Sequence, residues 1–152
     1  MNKPLYIVFL MSVLLFSSCE KKMGELLYEG IYILENGKSK DAHGYILDCS
    51  SKGGKYELEI ISDGITSVIP YKTYEEFDDP PEWLLIKDKP DYPPTHEEAY
   101  QHGSGNAPQY LQKVIIELLP NNGAKKRKAK ILIVSREFFH CAAEITIRQA
   151  GK

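Results

Sequence analysis

Apolar and polar residues alternate with a period of two along much of this chain. In 55–62, Tyr56, Leu58 and Ile60 fall on one side and Glu57 and Glu59 on the other. In 128–135, Ala129, Ile131 and Ile133 share a side. In 143–149, Ile145 and Ile147 are set against Glu144, Thr146 and Arg148. That period belongs to strands with one buried face. Fainter patterns at 27–34, 44–50, 65–72 and 83–87 predict further strands. The run 113–119 is nearly all apolar and predicts a strand buried on both faces. Turn signals stand between these runs: Asn36-Gly37, Gly53-Gly54, Asp63-Gly64 and Asn121-Asn122-Gly123. About eight short strands at this spacing predict an all-β chain folded as a β-sandwich.

Two segments depart from that rhythm. Residues 88–112 carry Pro90, Pro93, Pro94, Pro108, Gly103 and Gly105 and show no strand pattern. A loop that long is usually functional or disordered. Inside it, Thr95-His96-Glu97-Glu98 matches a capping box, which predicts one or two helical turns over about 96–102, ended at Gly103. The second departure is the start of the chain. After Lys3 comes a largely apolar run, Leu5 to Phe16. Twelve residues at ~1.5 Å each reach about 18 Å, short of a ~30 Å hydrocarbon core. A secretory signal is therefore expected rather than a membrane span.

Phe16-Ser17-Ser18-Cys19 resembles the lipobox of bacterial lipoproteins, with Phe16 where that motif usually has a smaller aliphatic residue. The resemblance implies removal of residues 1–18 and acylation of Cys19. The chain would then be attached to a membrane of the cell envelope, on the periplasmic or the surface side of an outer membrane. Residues 19–26 would form a tether and 27–152 the domain.

Composition narrows the functional classes. The 152 residues carry 19 Lys+Arg and 21 Asp+Glu, with 43% hydrophobic residues. Removal of residues 1–18 takes one lysine and leaves a formal −3. The fractions suit one globular domain, and a near-neutral chain is not that of a dedicated nucleic-acid binder. With Cys19 carrying lipid, Cys49 and Cys141 remain in an oxidising compartment. A disulfide between them and two reduced thiols are both open on spacing. If the last strand runs parallel to 44–50, the two cysteines would be some 20 Å apart.

From about Gly44 onward the chain resembles a BACON domain, an immunoglobulin-like β-sandwich of the Bacteroidetes often attached to carbohydrate-active enzymes. The matching residues are Ser50-Ser51-Lys52-Gly53-Gly54, the Trp-Leu step Glu82-Trp83-Leu84, Leu119-Pro120-Asn121-Asn122-Gly123 and the closing Ile145-Thr146-Ile147-Arg148-Gln149-Ala150-Gly151. The resemblance implies an immunoglobulin-like sandwich of seven or eight strands, a scaffold role for Gly53, Gly54, Asn121, Gly123 and Gln149, and a core position for Trp83. It also implies a non-catalytic module for carbohydrate.

Candidate chemistry lies mainly in the loops. Tyr71 and Tyr74 belong to one loop region, and Tyr92, Tyr100 and Tyr110 to another. Sugar faces stack on aromatic rings, so these five tyrosines are the ligand candidates; packing on the sandwich ends is the competing role. His96 and His102 are six apart and do not share a helical face, so no metal site is expected. Lys125-Lys126-Arg127-Lys128 reads as a solvated turn with edge lysines, or as a contact for anionic lipid or glycan. His140 and Cys141 diverge if they stand on a strand. No nucleophile elbow, phosphate loop or Cys-x-x-Cys is present. The expected protein has no catalytic residues, cofactor or nucleic-acid partner. It is a lipid-anchored binding or adhesion module, with a spacer that docks another envelope protein as the alternative and a hydrolase third.

Overall fold

The computed structural model describes residues 30–73, 79–100, 109–135 and 141–152. The signal, the whole 19–26 tether with Cys19, Tyr74, His102 and His140 lie outside the described residues, as does the side chain of Cys141. Ten strands are present among the described residues: β1 (Tyr32–Glu35), β2 (Lys38–Asp41), β3 (Ile46–Cys49), β4 (Gly54–Ser62), β5 (Ile65–Tyr71), β6 (Leu84–Asp88), β7 (Ala99–Tyr100), β8 (Gln109–Leu118), β9 (Arg127–Ser135) and β10 (Cys141–Gln149). One sheet has the order β2-β1-β4-β8-β6, with β7 also on β8; the other has the order β3-β10-β9-β5. The last strand, β10, pairs parallel with β3 and antiparallel with β9.

The inward faces follow the alternation of the sequence. Ile33, Leu58, Ile60, Val114, Ile116 and Leu118 of the first sheet meet Ala129, Ile131, Ile133, Ile145 and Ile147 of the second in one core. Each large side chain so buried contributes roughly 1.5–3 kcal/mol. The opposite face of the first sheet is charged, with Lys113 Nζ 2.6 Å from Glu57 and Lys87 Nζ 2.8 Å from Glu117.

Several expectations are corrected. Strand β8 is buried on one face only, because Lys113 and Glu117 alternate with its apolar residues. Strand β2 carries no apolar residue and is fully exposed. It forms because Asn36 (φ 52°) and Gly37 (φ 75°) turn the chain back on β1. The helix of 96–102 is a single 3₁₀ turn, His96–Glu98, and the chain then extends as β7. Trp83 is half-buried at the rim and packs against the core from outside it. The register sets Gln149 opposite Cys49. Cys141, eight positions along, is then about 26 Å away at ~3.3 Å per residue. Cys49 is a free, buried thiol, which excludes the disulfide. Burial pushes that thiol above its ordinary range.

Candidate functional site

The two ends of the sandwich gather different chemistry. At the turn between β4 and β5, Gly64 (φ 119°) donates its N–H to Ser62 Oγ at 3.1 Å. Pro94 and Tyr92 lie against it so closely that a Cβ at Gly64 would stand 2.8 Å from Pro94 Cγ and 3.0 Å from Tyr92 Cε2. Tyr92 keeps 42% of its surface exposed. Register brings in two more tyrosines, since Tyr110 pairs with Ser62 and with Ala99, and Tyr100 pairs with Gln109. Tyr100 and Tyr110 are half-buried.

A buried glutamine straps this loop to the sheet. Gln112, 1% exposed, accepts the N–H of Ile65 at 2.9 Å through Oε1. Its Nε2 donates to Glu98 Oε1 at 3.2 Å. The other oxygen of Glu98 accepts the Thr95 N–H at 2.6 Å and the Thr95 hydroxyl at 3.2 Å. Burial raises the Glu98 carboxyl, but the hydrogen bonds from Thr95 and Gln112 outweigh it and hold the group below the usual carboxylate range. Beside this strap lies an open cleft of about 520 Å³, lined by Asp88, Asp91, Thr95, Glu97, Leu111 and Lys113 among others. We term this aromatic and polar end the Gly64 pole.

The tyrosine set is divided by the fold. Tyr92, Tyr100 and Tyr110 come together at the Gly64 pole. Tyr71 does not: it is fully buried on the outer face of the second sheet, where its hydroxyl donates to Glu144, itself 2.6 Å from Lys130 Nζ. Its ring has no face left for a ligand. Tyr74 lies outside the described residues.

The opposite end, the Gly53 pole, is a knot of hydrogen bonds. Gln149, fully buried, donates to the carbonyls of Ser50 (3.1 Å) and Leu119 (3.0 Å) and accepts from Arg127 Nε at 2.7 Å. Arg127 also donates to Leu119 O at 2.5 Å, and its guanidinium lies 4.5 Å over the centre of the Trp83 ring. Asn121 Nδ2 donates to the carbonyls of Lys125 (2.9 Å) and Ala150 (3.0 Å), and its Oδ1 accepts the Gly123 N–H at 3.2 Å. Gly53 (φ 71°) packs so tightly that a Cβ would stand 2.3 Å from Leu118 O. Gly54 (φ 120°) follows it into β4 with open space around its Cα.

The pattern of the sequence did not disclose Gln112 or Arg127. Gln112 sits at an inward position of β8, where a polar residue among Val114, Ile116 and Leu118 is the available signal. Arg127 was one member of a basic run until the fold set it over Trp83. Among the described residues no group of three His, Cys, Asp or Glu could hold a metal ion. A second cleft, about 690 Å³ and mostly apolar, runs between the edge strands β5 and β6 past Val68, Pro70, Pro81, Leu84 and Ile86.

No protein-family model and no curated protein sequence matches the chain. Among solved structures, the chain is similar to a Bacteroides ovatus GH5 xyloglucanase in complex with a XXXG heptasaccharide, at 12% identity and a TM-score of 0.46, over 80% of this chain and 19% of that one. It is also similar to a protein from Bacteroides thetaiotaomicron solved by NMR, at 13% identity and a TM-score of 0.38, over 82% of this chain and 86% of that one. The chain thus spans about a fifth of the length of the xyloglucanase. At these identities and TM-scores neither likeness bears on function.

Proposed function

We propose that this chain is a non-catalytic binding module of the cell envelope, BACON-like in kind, held by a lipid on Cys19 and binding carbohydrate at the Gly64 pole. The observation that carries the reading is Tyr92: an exposed ring, seated on Gly64 and Pro94, in the same loop as residues that line the polar cleft. The apolar face of a sugar ring stacks on such a platform, and carboxylates such as Asp91 and Glu97 accept its hydroxyls. Glu98 itself is not poised as a general acid. A general acid for glycoside cleavage needs a raised pKa, whereas Glu98 is held low and already accepts three hydrogen bonds. Ten residues, 20–29, separate Cys19 from Gly30. They reach at most about 35 Å, room for a polysaccharide between this pole and a bilayer.

Affinity electrophoresis of the full chain in gels holding neutral polysaccharides tests the binding. Retardation by at least one polysaccharide is expected, weakened about tenfold by Tyr92→Ala, in line with one lost aromatic stack. No retardation across β-glucans, mannans and galactans would sink the carbohydrate reading. Labelled palmitate should enter the wild-type chain and not the Cys19→Ser variant; equal labelling would remove the anchor.

A further inference from the structure

The knot at the Gly53 pole folds three distant stretches onto one surface. Asn121 N–H donates to Ser51 O at 2.8 Å, Asn121 Nδ2 to Lys125 O at 2.9 Å, and Lys152 N–H to Gly123 O at 2.9 Å. Those bonds bring Lys52, Lys125, Lys126 and Lys152 to the same end, with Lys128 at the start of β9. All five side chains are exposed, and among the described residues none of them has an ion-pair partner. Elsewhere Lys40, Lys72, Lys87, Lys113 and Lys130 each sit on a carboxylate, while Lys38, Lys55 and Lys89 are scattered single charges rather than a cluster.

The nearby acids are mostly engaged elsewhere. Asp48 is held by Arg148 at 2.6 Å, with Lys126 near enough to lower its carboxyl further, and Glu117 is held by Lys87 at 2.8 Å. Glu82, beside Trp83, is a lone carboxylate against five lysines. Leu119, 43% exposed, adds an apolar surface beside them. A chain with a net charge of −2 has thus concentrated unneutralised positive charge at one end.

We propose that the Gly53 pole is a second binding surface, for a polysaccharide bearing sulfate or carboxylate groups. Several ammonium groups spread over three loops suit a repeating polyanion better than a single small anion. The competing occupant is an anionic bilayer: the chain enters the sandwich at the other end, where Tyr32 pairs with Ile61, about 30 Å from this pole at ~3.4 Å per residue, and vesicles separate that occupant from a polysaccharide. None of these lysines belongs to the proposed sugar platform at Tyr92.

Trp83 is the chain's one tryptophan and lies within the knot, so its emission reports on this pole. The full-length chain, in detergent, is titrated with dextran and with dextran sulfate, which share a backbone and differ in charge. Dextran sulfate should change the emission and dextran should not. Affinity should fall with salt, and Lys125→Gln with Lys126→Gln should lower the slope of log affinity against log salt by about two. The same charge loss on β2, Lys38→Gln with Lys40→Gln, should leave the slope unchanged. An equal drop in both variants would show a response to net charge only and overturn the site. A response to phosphatidylglycerol vesicles but none to dextran sulfate would assign the pole to lipid and overturn the polysaccharide. Tyr92→Ala should leave the dextran sulfate response intact; its loss would mean that the two poles are not separate sites.

Discussion

The two poles are built from the same parts and behave differently. Each turns on a glycine with positive φ, and each holds a buried glutamine. At the Gly53 pole, Gln149 donates to main-chain carbonyls 99 and 30 positions away in sequence and accepts from Arg127. Those acceptors do not titrate, and their strands fix them in place. At the Gly64 pole, Gln112 ends on the carboxylate of Glu98, on a one-turn segment of an exposed loop. The first pole is a clamp between strands. The second is a strap on a loop, sensitive to pH and presenting an aromatic ring. One end of the sandwich is thus tied by its main chain and the other by an exposed loop, whose backbone has fewer fixed partners.

The sharpest way to break the comparison is Gly53→Ala. A methyl there meets Leu118 O, so the variant should lose more than about 4 kcal/mol or fail to fold. The neighbouring Gly54→Ala meets no atom and should cost only the backbone strain, about 1–3 kcal/mol. Equal urea midpoints for the two would show that the Gly53 turn relaxes freely. Next in size are the glutamines. Gln149→Leu strips three hydrogen bonds and should cost about 3 kcal/mol, against about 2 kcal/mol for Gln112→Leu, which orphans the Ile65 N–H. A larger loss at Gln112 would reverse the assignment of clamp and strap.

The smallest effect is the pH dependence of the strap. Glu98 has a folded-state pKa below its unfolded value, so its contribution is complete above the ordinary carboxylate range. It is lost as pH falls through the depressed value. Urea midpoints taken from pH 6 to pH 3 should fall less steeply for Glu98→Gln than for the wild-type chain. Parallel acid limbs would show that Glu98 does not couple to folding.

How much of this was legible beforehand differs between elements for physical reasons. Strands β4, β9 and β10 were readable because Ile60, Ile131 and Ile145 each need a buried face, and burial imposes the period of two. Strand β2 was not, because its Lys-Ser-Lys-Asp buries nothing and is held by pairing with β1. The capping residues Thr95 and Glu98 marked a turn correctly, but not that the chain would leave it as a strand, since β7 is set by the edge of β8. Of the tyrosines, Tyr92 and Tyr71 look alike in sequence. The difference between an exposed ring and a buried one depends on strands far away in the chain.

The sequence by itself determined the all-β class, the inward residues of the main strands and the turns at Asn36-Gly37 and Asp63-Gly64, because alternation and positive φ are local requirements. Only the tertiary structure decided that Gln149 would bind Ser50 and Leu119, that Arg127 would cover Trp83, and that Lys52, Lys125, Lys126, Lys128 and Lys152 would gather at one end and Tyr92, Tyr100 and Tyr110 at the other. Those outcomes depend on which strands lie side by side, and strand pairing is fixed by the burial of the whole core.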